Sequence, residues 1–197
     1  MREMIKMVVV LTLLSAFSGG LLAAVRVGTK DQIENQELKF VKGPVIMEIF
    51  KGASNDPVKD RFKISDGDIE RIFFVGIFDG KANRVILETS GAGFADTLGV
   101  MLGIDVDNDK ILSAGVTTHK ETPGLGAKAK TDSSWITQFN GLSVLKEIKV
   151  TNDGGEINAI SGATVTSRAV CLTATDVGEI YSRLKPQILE NLKGFTK

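Results

Sequence analysis

The chain has 197 residues, with 24 basic and 24 acidic side chains and a hydrophobic content of 43%. This balanced charge argues against a protein that binds nucleic acid through a strongly basic surface. The single cysteine, Cys171, excludes an internal disulfide and a metal site built from several cysteines, so stability must come from an apolar core. We expect Cys171 itself to be a small, buried hydrophobic residue of that core.

The N-terminus contains 19 consecutive uncharged residues, 7–25, between Lys6 and Arg26. A helix of this length spans roughly 28 Å, close to the hydrocarbon thickness of a bilayer, about 30 Å. We therefore predict a single membrane anchor. A cleaved signal peptide is the alternative, but Leu21 and Leu22 are bulky where its cleavage site needs a small residue. Because the tail before the anchor is short, we expect the N-terminus inside and the remaining chain outside the cytoplasm.

The pattern after the anchor predicts a stalk and one domain. We assign residues 1–26 to the tail and anchor, residues 27–43 to a polar helical stalk, and residues 44–197 to the domain. Apolar and β-branched runs bounded by turn residues predict strands at 45–50, 69–78, 84–89, 98–106, 110–118, 144–150 and 157–160.

Helices are predicted in the second half of the domain. A short amphipathic helix surrounds Trp135, and a long helix runs from about Thr164 onward, where Pro186 should kink or divide it. Antiparallel hairpins followed by helices make an α+β domain.

Three aspartates at alternate positions, Asp105, Asp107 and Asp109, resemble the start of a calcium-binding loop. However, Lys110 and Val116 stand where the EF-hand pattern requires Gly and Glu. We interpret this segment as a hairpin turn.

The only histidine, His119, opens a polar, glycine-rich segment that ends at Gly126. A lone histidine predicts no zinc site, so a surface or turn position is the simplest interpretation. The alternative is a binding loop, because a Pro-Gly turn followed by a second glycine can bring backbone amides close to a flat or anionic ligand. The other residues of the segment are Lys120, Glu121, Thr122, Pro123, Gly124 and Leu125.

The most informative segment precedes the long helix and consists of Ser161, Gly162, Ala163, Thr164, Val165, Thr166, Ser167 and Arg168. Ser161 or Thr164 could simply cap the helix. Four hydroxyl groups exceed what one cap requires, and a helix N-terminus near Arg168 also suits a phosphate group. No P-loop or dinucleotide-binding glycine pattern is present, and no Gly-x-Ser-x-Gly elbow supports a serine hydrolase.

Together, the N-terminal span, the segment from His119 to Gly126 and the Ser-Gly-Ala-Thr motif ending at Thr164 resemble the G subunit of the Rnf ion-translocating electron-transport complex. The related C subunit of the sodium-pumping NADH:quinone oxidoreductase shares the Ser-Gly-Ala-Thr motif and the architecture. The resemblance covers nearly the whole chain in order.

The resemblance implies that FMN is joined through its phosphate to the hydroxyl of Thr164. A flavin transferase would make this bond outside the cytoplasm, with FAD as the donor. The family usually carries an aspartate three residues before the motif, whereas this chain has Asn158, which bears on recognition by the transferase.

The resemblance also assigns roles around the attachment point. Ser161, Gly162 and Ala163 would shape the phosphate turn, with Thr166 and Arg168 as weaker candidates for phosphate contacts. The loop from His119 to Gly126 would lie along the flavin. Within that loop, Glu121 and Thr122 would form hydrogen bonds with the flavin. Gly124, Leu125 and Gly126 would also belong to the part of the loop that binds the flavin. Trp135 would either flank the flavin ring or belong to the core.

The function implied is that of a one-flavin electron relay in the inner (cytoplasmic) membrane. The whole complex, with its other membrane and peripheral subunits, would pass electrons between ferredoxin and NAD, coupled to export of Na⁺ or H⁺. We expect neither a catalytic residue nor a metal site in this chain. The alternative is a membrane-anchored assembly or ligand-binding module without redox chemistry, in which Thr164 is only a cap.

Overall fold

The computed structural model describes residues 1–195, which divide into two compact units, residues 1–40 and the residues from Val41 onward. The first unit consists mainly of helix α1, Arg2–Glu37, in which no residue is buried. The helix is long and apolar enough to cross a bilayer, which indicates membrane anchoring. The predicted limits of tail, anchor and stalk stay predictions.

The second unit contains a five-stranded antiparallel sheet whose strands follow one another in chain order. A π-helical turn, Leu38–Lys42, and helix α2, Gly43–Ile49, precede it. The predicted hairpins and the hairpin turn at Asp105 to Asp109 are confirmed, and the domain is α+β. The strands are β1 Arg61–Asp66, β2 Ile69–Phe78, β3 Lys81–Ala92, β4 Thr97–Asp105 and β5 Lys110–Val116.

Short helices follow the sheet, and one long helix ends the described chain. These are α3 Lys128–Thr131, α4 Ser133–Ile136, 3₁₀ turns at Thr137–Phe139 and Thr151–Asp153, and α5 Thr164–Leu192. The predicted short helix around Trp135 and the long helix from Thr164 are confirmed.

Helix α5 packs on one face of the sheet and forms the main core with it. Alternate residues of β4 point into this core; Leu98, Val100, Leu102 and Ile104 are each at most 1% exposed. Cys171 lies in the same core, as predicted, and burial raises the pKa of its thiol to about 12.

Helix α2 covers the opposite face of the sheet. Gly103 and Gly115 leave room for Ile49 and Val45, because a Cβ atom at either glycine would overlap the facing side chain. The sheet is therefore buried on both sides, which explains why seven consecutive residues of β4 are buried.

Three predictions about elements are wrong. Residues 45–49 belong to helix α2 rather than to a strand, because Pro44 occupies the first turn of this helix and the apolar residues of α2 pack on β4 and β5. Residues 144–150 form no strand, and neither do residues 157–160. The two segments are joined by a single isolated β-bridge between Val150 and Ile157. Helix α5 continues through Pro186, so the proline does not divide it, and the alternative of a kink at this residue stays a prediction.

Strand β1 was not predicted from the sequence. This edge strand carries charged residues at alternate positions and has one fully buried residue, Ile64, so its apolar signal is weak.

Candidate functional site

The Ser-Gly-Ala-Thr motif forms a tight turn that leads into α5. The N–H of Ala163 donates a hydrogen bond to the carbonyl oxygen of Ile160 at 2.9 Å, so Ser161 and Gly162 occupy the two central positions. Gly162 has a φ of +78°, as the second central residue of a type II turn requires. The glycine is therefore needed for the chain to enter the helix at this angle.

Thr164 is the first residue of α5 and does not act as its cap. The N-cap position belongs to Ala163, which has no side chain able to cap. Thr164 is half-buried, and its hydroxyl forms no hydrogen bond to any residue that the structure describes. The backbone N–H groups of Thr164, Val165 and Thr166 likewise find no acceptor among residues 1–195. A free hydroxyl thus lies beside three free N–H donors, an arrangement that suits a phosphate group.

Ser167, one turn further on, is fully buried. Its hydroxyl accepts a hydrogen bond from the N–H of Ile160 at 2.9 Å and donates one to the carbonyl oxygen of Ala163 at 3.0 Å. This side chain fastens both ends of the motif's turn to the helix.

The buried carboxylate of Glu121 connects three segments. One oxygen, Oε1, accepts hydrogen bonds from the N–H groups of Phe94 and Ala95 at 2.9 and 3.2 Å. The other, Oε2, accepts the hydroxyl proton of Thr166 at 2.6 Å. Glu121 is 5% exposed, and both of its oxygens are occupied by protein donors. The flavin contacts predicted for Glu121 and Thr166 stay predictions.

Close contacts bring the two sequence motifs together. A Cβ atom on Gly126 would lie 2.7 Å from both Glu121 Oε2 and Thr166 Oγ1, so the backbone of the first motif approaches the start of α5 directly. A Cβ atom on Gly162 would lie 3.1 Å from Cδ2 of Leu125. The segment from His119 to Gly126 therefore lies against the turn that carries Thr164.

The first motif has a tight turn of its own. The N–H of Leu125 donates to the carbonyl oxygen of Thr122 at 3.2 Å, with Pro123 and Gly124 between them and a φ of +76° at Gly124. His119 is half-buried, and its Nδ1 accepts a hydrogen bond from the N–H of Glu121 at 3.3 Å. The predicted flavin contacts of His119 and Thr122 are untested by these contacts and stay predictions.

Arg168 is exposed and forms a two-pronged ion pair with Asp153, with nitrogen–oxygen distances of 2.6 and 2.7 Å. The guanidinium lowers the pKa of the Asp153 carboxyl, and the carboxylate raises the pKa of Arg168. Because its charge is already paired, a phosphate contact by Arg168 would require rearrangement and stays a prediction.

Trp135 belongs to the core, and its indole ring also binds the segment that precedes the Ser-Gly-Ala-Thr motif. It is 5% exposed, packs edge-to-face on Phe139, and its indole N–H donates to the carbonyl oxygen of Asn158 at 2.6 Å. Gln138 holds the same segment, since its Oε1 accepts from the backbone N–H and the side-chain amide of Asn158 at 2.8 and 3.0 Å. Asn158 thus sits on a fixed backbone three residues before the motif.

The loop between β3 and β4 was not predicted to belong to the site. Phe94 and Ala95 join the site through their backbone N–H groups, and no side-chain chemistry marks such a role in a sequence. The available signal was an aromatic residue directly after two closely spaced glycines, Gly91 and Gly93.

Comparisons with known proteins agree with this geometry. Residues 93–177, which include both motifs and the loop at Phe94, match the family model of the FMN-binding domain. The G subunit of the ion-translocating oxidoreductase complex from Salmonella typhi is 30% identical, over 93% of this chain and 93% of the relative. The protein of the same name from Methanosarcina acetivorans is 30% identical, over 86% of this chain and 89% of the relative.

A solved structure shares the fold. The C subunit of the Na⁺-translocating NADH-quinone reductase from Parabacteroides distasonis superimposes with a TM-score of 0.62 at 21% identity, over 78% of this chain and 94% of that one. Similarity over nearly full length, together with the matching FMN-binding domain, places the chain in the G-subunit family of ion-translocating oxidoreductase complexes.

Proposed function

We propose that the chain is the covalently flavinylated electron carrier of a membrane-bound Rnf-type complex. That complex would transfer electrons between ferredoxin and NAD, coupled to translocation of Na⁺ or H⁺. The observation that carries the proposal is the unbonded hydroxyl of Thr164 beside three free N–H groups, inside a matched FMN-binding domain. A residue that only capped the helix would have its hydroxyl bonded to one of those N–H groups.

Attachment is a phosphoryl transfer to Thr164 by a flavin transferase. The threonine oxygen forms a bond to the phosphorus of the FMN half of FAD, and the bond from that phosphorus to the bridging oxygen breaks. AMP leaves with the bridging oxygen, and the hydroxyl proton is released. No electrons are gained or lost in this step. The N–H groups at the start of α5 stabilise the negative charge of the phosphate.

FMN, once bound, supplies the redox chemistry, and the protein supplies attachment, orientation and electrostatic surroundings. The turn at Gly162 fixes the direction in which α5 starts, and Ser167 fastens that turn. A covalent bond would also prevent loss of the cofactor to the solvent outside the cytoplasm.

The proposed topology places the N-terminus in the cytoplasm and the domain outside, where the transferase and other subunits of the complex meet it. Alkaline phosphatase fused after the last residue should be active in intact cells. Activity confined to a cytoplasmic reporter at the same position would contradict this orientation.

The decisive experiment is flavin fluorescence of the denatured chain on a gel, after co-expression of the full chain with the transferase. The wild-type band should fluoresce, and Thr164→Val, which keeps the side-chain shape but removes the hydroxyl, should abolish the signal. Thr151→Val is the matched control, because Thr151 is an exposed threonine outside both motifs. A dark wild-type band, or a fluorescent band for Thr164→Val, would refute covalent attachment at Thr164.

A further inference from the structure

Phe94 is exposed on a domain whose other aromatic side chains are not. Its exposed fraction is 68%, whereas the other nine aromatic residues between positions 41 and 195 are buried or half-buried. Leaving an aromatic side chain in water forfeits a large apolar contact area. An exposed phenylalanine marks a candidate contact surface when further exposed apolar side chains lie on neighbouring segments.

The backbone that carries Phe94 is fixed. The N–H groups of Phe94 and Ala95 bind the same oxygen of Glu121, and the N–H of Gly93 donates to the carbonyl oxygen of Asp96 at 2.8 Å. A Cβ atom on Gly93 would overlap Oε1 of Glu121, so the loop lies directly on this carboxylate. The exposure of Phe94 is therefore built into an ordered loop.

The same carboxylate places Phe94 next to the flavin attachment point. Its second oxygen holds the hydroxyl of Thr166, two residues after Thr164. Two further apolar side chains at the site are exposed: Leu125 at 45%, which touches the turn at Gly162, and Val165 at 50%. Phe94, Leu125 and Val165 are therefore exposed apolar side chains on the three segments that meet at the start of α5.

We propose that Phe94 packs against the isoalloxazine ring of the FMN carried by Thr164, and that Glu121 is the positioning residue that holds Phe94 there. The proposal rests on the proposed function. A flat, apolar ring system tethered at Thr164 is the occupant whose shape and chemistry match an exposed phenyl ring, because aromatic rings pack by offset stacking or edge-to-face contact. The carboxylate of Glu121 accepts hydrogen bonds from Phe94, Ala95 and Thr166 through its two oxygens. A glutamine at this position has only one acceptor oxygen and could not accept all three in this arrangement.

The test uses the full chain flavinylated by the transferase and reads the flavin emission of the folded protein. Phe94→Trp should lower that emission several-fold, because an indole in contact with the flavin ring quenches it, and unfolding in urea should restore it. Leu189→Trp is the matched control. Leu189 is also partly exposed but lies 25 residues along α5 from Thr164, roughly 37 Å away.

The role of Glu121 is read in the same assay. Glu121→Gln combined with Phe94→Trp should recover a large part of the emission, because the loop loses its anchor. Full quenching in the double variant would overturn the role of Glu121 while leaving that of Phe94.

The outcomes separate this proposal from the one on which it depends. A fluorescent wild-type band on the denaturing gel, with Phe94→Trp no dimmer than Leu189→Trp in the folded state, would overturn the contact with Phe94 alone. That result would assign the exposed phenyl ring to a protein partner instead. A dark wild-type band would overturn both proposals.

Discussion

Two hydroxyl groups in the first turn of α5 have opposite environments. Thr164 keeps its hydroxyl free of any described partner, whereas Ser167 is buried and uses its hydroxyl as both acceptor and donor. The free group can be modified without loss of structure, and the bonded one maintains the turn that presents it. Thr164 is thus available for modification, and Ser167, three residues later, stabilises the turn.

Replacing Ser167 by alanine should lower the free energy of unfolding by about 1–3 kcal/mol, because the buried N–H of Ile160 loses its acceptor. Urea unfolding of the chain from Val41 onward measures this change. Ser161→Ala is the control; its hydroxyl is exposed and forms no hydrogen bond with a described residue, so the change should stay within about 0.5 kcal/mol. Equal effects of the two substitutions would contradict a supporting role for Ser167.

How far the site could be predicted depends on the range of its contacts. The glycines at positions 124 and 162 and the threonine at the start of α5 follow from local turn and helix rules, and all were identified from the sequence. The hydrogen bonds of Glu121 reach back 27 residues to Phe94 and forward 45 residues to Thr166. Such contacts depend on the path of the whole chain, so the sequence did not predict the hydrogen bonds that Glu121 makes within the protein.

At the scale of elements, the wrong assignments share one physical cause. The apolar run 45–50 and the run 144–150 both fit a strand by composition, and short apolar runs do not distinguish strand from helix or buried loop. Tertiary packing decided between them. Residues 45–49 became helical against two glycines of the sheet, and residues around Val144 became an irregular segment pressed against α5.

The contact between that segment and α5 depends on Gly178. A Cβ atom at this position would overlap the carbonyl oxygen of Val144, so the glycine sets the distance between helix and segment. Helix propensity predicts that Gly178→Ala stabilises α5 by about 1 kcal/mol. We expect the opposite sign, a loss of about 1–3 kcal/mol, because the backbone of α5 or of the segment must move.

Urea unfolding of the chain from Val41 onward again gives the measurement. Ser182→Ala, at an exposed position of the same helix, should be neutral or slightly stabilising. If Gly178→Ala proved as stable as Ser182→Ala, the close approach of Val144 to α5 would be disproved.

At the scale of the whole domain, two aspartates at the ends of the sheet form ion pairs with basic side chains of α5. Asp66, at the end of β1, binds Arg183 through both carboxylate oxygens at 3.0 and 2.8 Å, and these hydrogen bonds lower its pKa. Asp109, in the turn before β5, accepts hydrogen bonds from Lys185 and from the Tyr181 hydroxyl, each at 2.6 Å. Burial acts to raise the pKa of Asp109, but these two hydrogen bonds outweigh it and the net shift is downward.

Lowered pKa values fix the direction in which pH acts on stability. A carboxyl whose pKa is lower in the folded than in the unfolded chain binds fewer protons when folded. Its stabilising contribution is therefore complete above the unfolded value, about 3.9 for aspartate, and is lost as the pH falls through the folded value. The free energy of unfolding of the domain should be nearly level at neutral pH and should fall steeply below about pH 4.

Asp109→Asn tests this at one site. The backbone should tolerate the change, because asparagine accepts the φ of +52° found there as readily as aspartate does. At neutral pH the variant should be less stable than the wild type, since Lys185 loses its charged partner. The difference in the free energy of unfolding should shrink toward zero as acid protonates the wild-type carboxyl.

Asp68→Asn is the control, because Asp68 is an exposed turn residue without an ion pair to any described residue. The free energy of unfolding of this variant should follow that of the wild type from neutral to acid pH. A deficit of Asp109→Asn that stays constant with pH would show that packing, rather than the charge of Asp109, holds the end of α5 to the sheet.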